Sequence, residues 1–245
     1  MRKITCMSFV ALFLVSFAFT SCTKEEDVPT NSVEKSTGDY WPMTVGNQWN
    51  LTNGTDVSTV KISGTDVFGG ITYYKLSNEV GGSDIGSLMG FDMQSWITKK
   101  GATYYNKIGD MYLSQDGLIM EMKGFEMPVL KDNLEVGGSW SGTVSTVFKI
   151  SHQVETESIK MNVKYTGTIL EKNVTEIVNE VTYPDVIKTK IKQEIILDDP
   201  SLADGETNVT ETEYWYAKNV GQIKIITSVE GESSEMSLVD YIVKK

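Results

Sequence analysis

The amino-acid sequence predicts an all-β fold, an antiparallel meander that forms a spiral β-roll or a curved half-barrel with two similar halves. The first observation is alternation: over residues 159–169 and again over 186–197, most apolar residues are separated by polar ones. A period of two that lasts about a dozen residues is typical of long strands with one face in water, as in antiparallel sheets. The second observation is that no long window beyond residue 22 repeats apolar residues at helical spacing.

Short turn signals between the predicted strands are the third observation. Dipeptides of the kind that close hairpins occur at Asn53-Gly54, Gly69-Gly70, Lys100-Gly101, Gly109-Asp110, Asp116-Gly117 and Asp204-Gly205. Asn53-Gly54 gives the strongest hairpin prediction because strand-like residues flank it at 49–51 and 57–60. The chain has 21 Gly and only five Pro, which suits a meander of hairpins.

Residues 1–21 have the layout of a secretory signal peptide. Arg2 and Lys3 precede an uncharged, mostly apolar stretch over 4–19, and small residues follow it. This stretch is shorter than the ~20 residues that a membrane-spanning helix needs. We therefore expect export rather than a membrane span.

The end of this segment, Phe19-Thr20-Ser21-Cys22, resembles the lipobox of bacterial lipoproteins. The resemblance implies that Cys22 receives a diacylglyceryl thioether, becomes the mature N-terminus and carries fatty acids such as palmitate. The membrane would then be a partner through this lipid anchor. The alternatives are a non-cleaved anchor and a plain secreted protein.

The residues after Cys22 carry a second signal. Lys24, Glu25 and Glu26 resemble the surface-export signal of Bacteroidetes-type lipoproteins, which implies the outer membrane with the protein facing outward. The same charges would suit any solvated tether, so a periplasm-facing outer-membrane lipoprotein is the alternative. Residues 22–39 are polar and aperiodic, and they predict a flexible tether before a single β domain over 40–245.

One short pattern occurs twice in the predicted domain. Val45-Gly46-Asn47-Gln48-Trp49 recurs as Val136-Gly137-Gly138-Ser139-Trp140, and β-rich residues follow both. Each copy predicts a tight turn that leads into a strand whose Trp enters the core. Two similar halves, roughly 40–130 and 131–245, would explain the repetition. The alternative is chance similarity of a short pattern.

Two longer motifs carry a family resemblance. Residues 40–49, YWPMTVGNQW, and residues 214–224, YWYAKNVGQIK, are similar to the opening and closing segments of uncharacterised Bacteroidetes-type surface lipoproteins. That group resembles domains of unknown function with a spiral β-roll, and more distantly the half-barrels of lipoprotein carriers such as LolA. The resemblance implies the fold and the location but no catalytic activity. The helices that cover the carriers' half-barrels have no evident counterpart in this sequence.

Composition excludes several classes of function. The chain has 22 Lys+Arg against 33 Asp+Glu and a net charge of −11, which disfavours nucleic acid as a partner. Arg2 is the only Arg, so loss of residues 1–21 leaves a net charge of −13 and no guanidinium to clamp phosphate. The single His, His152, is expected to be exposed at a strand end, and Cys22 is the only Cys of the mature chain. These counts disfavour His-rich metal sites, Ser–His catalysis and thiol catalysis.

Three residues are candidates for ligand binding. Trp96 lies outside the repeated and family-like motifs, so it is the Trp most expected to be exposed for stacking on a glycan. Met120 and Met122 belong to a Met-rich stretch and would share one face of a strand, where they could line an apolar pocket. The alternative for all three is ordinary core packing.

An acidic loop is a weak candidate for Ca²⁺ binding. Its carboxylates belong to Asp198, Asp199, Asp204 and Glu206. Their spacing differs from the known calcium loop, and a solvated hairpin tip is the alternative. The sequence implies no other metal and no cofactor.

These observations favour a non-catalytic lipoprotein that binds an extracellular ligand or partner. A glycan, a lipid or an envelope protein would suit this role. The second hypothesis is a periplasm-facing carrier or assembly factor with an apolar ligand on its concave face. An enzyme is the third, and no catalytic motif supports it.

Overall fold

Fourteen antiparallel strands form one sheet in the computed structural model, which describes residues 34–78, 94–152, 155–198 and 207–244. The strands of the first part are β1 (Gln48–Thr52), β2 (Val57–Phe68), β3 (Ile71–Asn78), β4 (Ser95–Lys100), β5 (Thr103–Ile108), β6 (Met111–Gln115), β7 (Leu118–Met122) and β8 (Glu126–Lys131). The remaining strands are β9 (Ser139–His152), β10 (Glu155–Val178), β11 (Val181–Asp198), β12 (Thr207–Ala217), β13 (Gly221–Val229) and β14 (Glu232–Ile242). No helix occurs in these described ranges.

The order of strands shows how the meander is rolled. It runs β6-β7-β9-β10-β11-β12-β13-β14-β1-β2-β3-β4-β5-β8. Strand β1 lies between β14 and β2, so the two ends of the domain meet in the middle of the sheet. Strands β6 and β8 end the order without pairing with each other, as in an open, curved half-barrel or roll. The predicted all-β antiparallel fold is confirmed.

The alternating segments form the predicted long strands. Met161 lies opposite Leu197 and Val163 opposite Ile195 in the β10–β11 pair, and these apolar residues face the core. Lys188 and the other lysines of β11 lie on the opposite face. We call the core side of the sheet its inner face and the opposite side its outer face.

Strand β8 helps to fill the inner side of the roll. Its central residues, from Met127 to Leu130, are all buried, so both of its faces are covered. The Trp140 indole N–H donates to the Pro128 carbonyl over 3.3 Å, and the Gln193 amide lies 3.2 Å from the Met127 sulfur. Proline lacks the N–H that a central strand needs, which suits the place of β8 at the end of the sheet.

The repeated sequence pattern forms the same turn twice. In each copy the Gly N–H donates to an Ile carbonyl over 2.8 Å, and the next residue's carbonyl accepts from the N–H of that same Ile over 2.9 Å. The first copy uses Gly46, Asn47 and Ile62, and the second uses Gly137, Gly138 and Ile169. Both turn glycines have a positive φ, +90° at Gly46 and +81° at Gly137. The predicted tight turn is confirmed at both places.

Each turn is followed by a Trp whose side chain packs on a glycine of another strand. Trp49 is 2% exposed and packs on Gly221, where an added Cβ would lie 2.7 Å from the indole nitrogen. Trp140 is 7% exposed and packs on Gly167, where an added Cβ would lie 2.1 Å from the indole ring. Both side chains are therefore buried, as the sequence predicts.

Connections between antiparallel neighbours alternate between two ends of the sheet. One end carries the hairpin turns β2–β3, β4–β5, β10–β11 and β12–β13, together with the start of β1 and the end of β14. The β8–β9 connection, which joins strands that do not pair, lies at the same end. Residues 36–39 lie at this end, because the Asn219 N–H of the β12–β13 turn donates to the Asp39 carbonyl over 2.6 Å. We call residues 36–39 the strap, this end the strap end, and the opposite one the far end.

Candidate functional site

The strap is bound by one lysine. Lys99, on β4, has its ammonium within hydrogen-bond distance of Ser36 Oγ at 2.7 Å, the Gly38 carbonyl at 2.6 Å and Tyr104 Oη at 2.6 Å. The same nitrogen lies 3.0 Å from the Asp132 carboxylate, which is fully buried. A buried carboxylate needs such a partner, because an unpaired charge is costly away from water.

Asp132 binds the strap directly as well. Its two carboxylate oxygens accept hydrogen bonds from the Thr37 N–H at 3.0 Å and from Ser36 Oγ at 2.6 Å. The Thr37 hydroxyl in turn donates to the Asp132 carbonyl over 2.8 Å. The prediction of a flexible tether through residue 39 is therefore wrong at its end: residues 36–39 are part of the folded domain, because a buried ion pair supplies partners for their polar groups.

Tyr104 joins the strap to the core. Its hydroxyl accepts from the Tyr40 N–H over 2.8 Å, and the Lys99 ammonium lies 4.3 Å from the centre of its ring. Burial raises the pKa of Tyr104 far above its usual value. The phenol therefore stays neutral, and its hydroxyl can donate a hydrogen bond to the Gly38 carbonyl, 3.2 Å away.

A second feature lies toward the far end, on the inner face. Six half-buried apolar side chains form what we call the apolar strip: Leu113 of β6, Met120 of β7, Phe148 and Ile150 of β9, Ile159 of β10 and Leu197 of β11. Strand register brings them together, since Met120 lies opposite both Leu113 and Ile150, and Phe148 lies opposite Ile159. Directly opposed side chains on one face contact each other. The arrangement can hold an apolar group.

The structure brings Met120 and Met122 together, as the sequence predicts. They share the inner face of β7, opposite Ile150 and Phe148. Met120 is half-buried, whereas Met122 is 2% exposed and belongs to the core. Met120 is thus the one of the pair that a ligand could contact directly, whereas Met122 is buried in the core beside it.

Trp96 is not brought to the Met pair. It lies on the outer face of β4, because its neighbours Ser95 and Ile97 are buried on the inner face. Its indole N–H donates to the Asp66 carboxylate over 2.7 Å, and its ring centre lies 5.2 Å from that of Phe68. The indole is half-buried and in contact with a carboxylate, a combination that suits a sugar.

Charged and aromatic neighbours continue this outer cluster. The Tyr73 hydroxyl donates to Glu126, and the Lys100 ammonium lies 2.5 Å from the same carboxylate. Burial first, and then the hydrogen bond to Glu126, raise the pKa of Tyr73. These polar groups already bind each other, so a ligand at Trp96 would have to add to this network.

A further Trp of the outer face is enclosed by cations. Trp215 lies between Lys188 and Lys224, whose ammonium groups are 4.1 Å and 4.9 Å from the centre of its ring system. Its N–H donates to Glu213 over 2.6 Å. Lysines on the two neighbouring strands flank the ring, which leaves it less suited to stacking with a ligand than Trp96.

A polar groove of about 270 Å³ also opens in the sheet. It is lined by Ser141, Gly142, Thr143, Lys164, Tyr165, Thr166, Lys192 and Glu194. The Lys192 ammonium pairs with Glu194 over 2.8 Å. The lining is rich in hydroxyl groups and lacks a buried charge that would select one ligand.

Several predicted residues lie outside the described ranges. These are the lipidation residue Cys22, the export residues Lys24, Glu25 and Glu26, and three acidic-loop residues, Asp199, Asp204 and Glu206. Asp198 is exposed at the end of β11, and His152 is exposed at the end of β9. Within the described ranges, no three His, Cys, Asp or Glu side chains are grouped to hold a metal ion. In the same ranges no helix could cross a membrane.

Sequence reasoning missed the residues that bind the strap. Lys99 and Asp132 lie far along the chain from Ser36, and a single Lys and a single Asp form no motif. The only signal in the sequence was the hydroxyl pair Ser36-Thr37 next to the domain boundary.

Comparison with known proteins finds structural likenesses only. No family model matches this chain, and no curated protein matches it. One similar solved structure is a protein described as a lipoprotein from Parabacteroides distasonis, with a TM-score of 0.48 and 11% identity, covering 84% of this chain and 99% of that one. Another is a protein described as exported, with a YmcC-like fold, from Bacteroides fragilis, with a TM-score of 0.42 and 12% identity, covering 85% and 100%.

Proposed function

We propose that this chain is a non-catalytic, lipid-anchored protein of the outer membrane that binds an extracellular ligand or partner. One observation supports this most: the strap enters the domain at one end, and the apolar strip lies toward the other. A domain held near a membrane by its N-terminus would present its far end outward.

The position of Cys22 supports the anchor. Only thirteen residues, 23–35, separate it from Ser36, the first residue bound by Asp132. A flexible segment of that length has a typical span of roughly 20 Å. Lipid on Cys22 would therefore keep the strap end close to the bilayer, with Lys24, Glu25 and Glu26 in between as the export signal.

A second candidate function is a periplasm-facing carrier or assembly factor. The apolar strip favours it, because half-buried Met120 and its neighbours could hold an acyl chain on the inner face. The burial of β8 and of Met122 restricts such a ligand to the strip itself.

Protease treatment of intact cells of the native host separates the two functions. Digestion of the chain, with a periplasmic marker protein left intact, is expected for the outward-facing protein. Protection until the outer membrane is opened would favour the carrier and contradict the first proposal.

Mass spectrometry of the protein purified from its native host identifies the ligand class. A co-purified glycan that is lost in Trp96→Ala would support an extracellular sugar ligand. A co-purified lipid that is lost in Met120→Asp, but kept in Trp96→Ala, would support the carrier.

A further inference from the structure

We propose that the strap end is a membrane-docking face whose exposed apolar side chains insert into the lipid interface. This inference rests on the proposed lipid anchor. It adds that the domain itself contacts the bilayer, in a fixed orientation.

Exposed apolar side chains concentrate at the strap end. Thirteen large apolar residues are exposed in the described part of the chain, and eight of them lie on the turns and strand ends of this end. The six most clearly placed are Val45, Val136, Ile177, Val181, Tyr241 and Ile242. Single exposed apolar residues are common on soluble proteins, whereas large exposed apolar patches are typical of protein or membrane interaction sites.

The two repeated turns contribute one apolar residue each. Val45 is 45% exposed and Val136 is 60% exposed, and each precedes the glycine of its turn. The turn is built by backbone hydrogen bonds of the next two residues, which do not require an apolar side chain there. Packing of the turns therefore does not explain these valines.

The β10–β11 tip contributes the next pair. Ile177 is 69% exposed and Val181 is 45% exposed, on either side of the turn. The tip is held in place because the Asn179 side chain donates to the Leu238 carbonyl of β14 over 2.8 Å. Tyr241 and Ile242 are exposed at the end of the same β14.

Chain length identifies the bilayer as the occupant. The thirteen residues between Cys22 and Ser36 allow these two positions to lie at most about 50 Å apart, even if the chain were fully extended. The strap joins this segment to the domain at the same end as the exposed residues. The end that carries the apolar side chains is thus the end that the anchor brings to the lipid.

The charge of the chain determines how docking would occur. A mature chain with a net charge of −13 is not attracted to an anionic surface. Docking is therefore expected to depend on apolar insertion, about 5–10 Å deep for such faces, and to occur on uncharged, zwitterionic lipid.

The test uses the full lipidated chain in phosphatidylcholine vesicles. Cys22 is the only Cys of the mature chain, and the proposed lipid linkage occupies its thiol. A single Cys added by mutation therefore takes one fluorescent label. Val136→Cys and Ile177→Cys report on the strap end. Val57→Cys and Tyr112→Cys, at far-end positions that are 53% and 66% exposed, are matched controls.

Quenching by doxyl-labelled phosphatidylcholine is the readout, after flotation has shown that each variant is on the vesicles. We expect the labels at 136 and 177 to be quenched at least about twofold more than those at 57 and 112. Equal quenching of all four floating variants would overturn the docking face and leave the anchor intact. Failure of every variant to float would show that the anchor is missing, and both proposals would fall.

Discussion

The ammonium of Lys99 lies 3.0 Å from the carboxylate of Asp132, and this ion pair holds the N-terminal strap on the domain. Asp132 is fully buried and Lys99 is 23% exposed, so the pair is only partly in contact with water. Each partner also binds Ser36, so the last residues of the predicted tether became part of the fold.

Asp132→Asn is expected to loosen the strap and to destabilise the domain. It leaves the Lys99 ammonium without its counter-charge. Breaking a buried ion pair costs about 3–5 kcal/mol. Because Lys99 is 23% exposed, we expect a loss of about 3 kcal/mol, at the lower end of that range. Urea unfolding measures the loss, and limited proteolysis near residue 36 measures the release of the strap.

Lys123→Ala is the matched control for that variant. It breaks the Lys123–Asp110 pair, whose side chains are 81% and 61% exposed, and such exposed pairs contribute little to stability. If Asp132→Asn were no more destabilising than Lys123→Ala, the strap would contribute little to the fold.

Tyr104 is expected to make the domain sensitive to alkaline pH. Burial raises its pKa in the folded state, so the stability it contributes is complete below the usual Tyr pKa of 10.0 and is lost as pH rises above it. Above that pH the unfolded phenol ionises while the folded one does not, and the free energy of unfolding falls by about 1.4 kcal/mol for each pH unit.

Urea unfolding at several pH values between 8 and 11 checks this dependence. Tyr104→Phe should make the fall shallower, whereas Tyr112→Phe, at a side chain that is 66% exposed, should leave it unchanged. The fall that remains in Tyr104→Phe is expected from the other tyrosines whose pKa is raised by burial, Tyr40, Tyr73, Tyr165 and Tyr183. Equal slopes for both variants would show that Tyr104 is not responsible.

Local signals in the sequence were sufficient for several of the hairpin turns and for the longest strands. Asp116-Gly117 and Gly69-Gly70 close hairpins with positive φ at both residues, as such dipeptides predict. The β10–β11 turn does the same at Asn179 and Glu180, with φ of 47° and 66°. Glu is rare in that conformation, so the residues of this turn do not predict it. The turn forms because the two long strands pair with each other.

Contacts that depend on the order of the strands could not be predicted from the sequence. The flanking of Trp215 by Lys188 and Lys224 requires that β12 lie between β11 and β13 in one particular register. The strap requires Asp132 to meet Ser36 across 96 positions of chain. No local pattern encodes such pairings, whereas the burial of Trp49 and Trp140 followed from one repeated motif.

Cys22→Ser is expected to release the protein from the membrane fraction without unfolding it. The variant removes the thiol that would carry the lipid, and the described domain begins well after that position. Fractionation in high salt, with circular dichroism of the released protein, measures both effects. A variant that still pelleted with membranes would contradict the lipobox interpretation.

Replacement of Lys24, Glu25 and Glu26 by Ala is expected to leave lipidation intact but to turn the protein inward. These charges follow directly after Cys22, where the export signal is expected. Surface labelling of intact cells, compared with labelling of lysed cells, measures the change. Unchanged surface labelling of the triple variant would remove the export signal from the proposal.

Trp49→Ala and Trp140→Ala are each expected to cost about 3–5 kcal/mol of stability, because each empties a buried aromatic site. A typical domain has only about 5–15 kcal/mol, so both variants should melt at much lower temperature. Gly167→Ala is a complementary variant, since its new Cβ would lie 2.1 Å from the Trp140 ring and force it to move.

The control for these variants is Gly54→Ser, at an exposed turn glycine with a φ of +94° and open space where an added Cβ would lie. Its cost should come from backbone strain alone, about 1–2 kcal/mol, and should be smaller than that of Gly167→Ala, whose cost comes from collision with an indole. Thermal unfolding of all four variants gives the order. If Trp49→Ala and Trp140→Ala both melted near the wild-type temperature, the two turns would not anchor the core, and their aromatic side chains would be free for ligand binding.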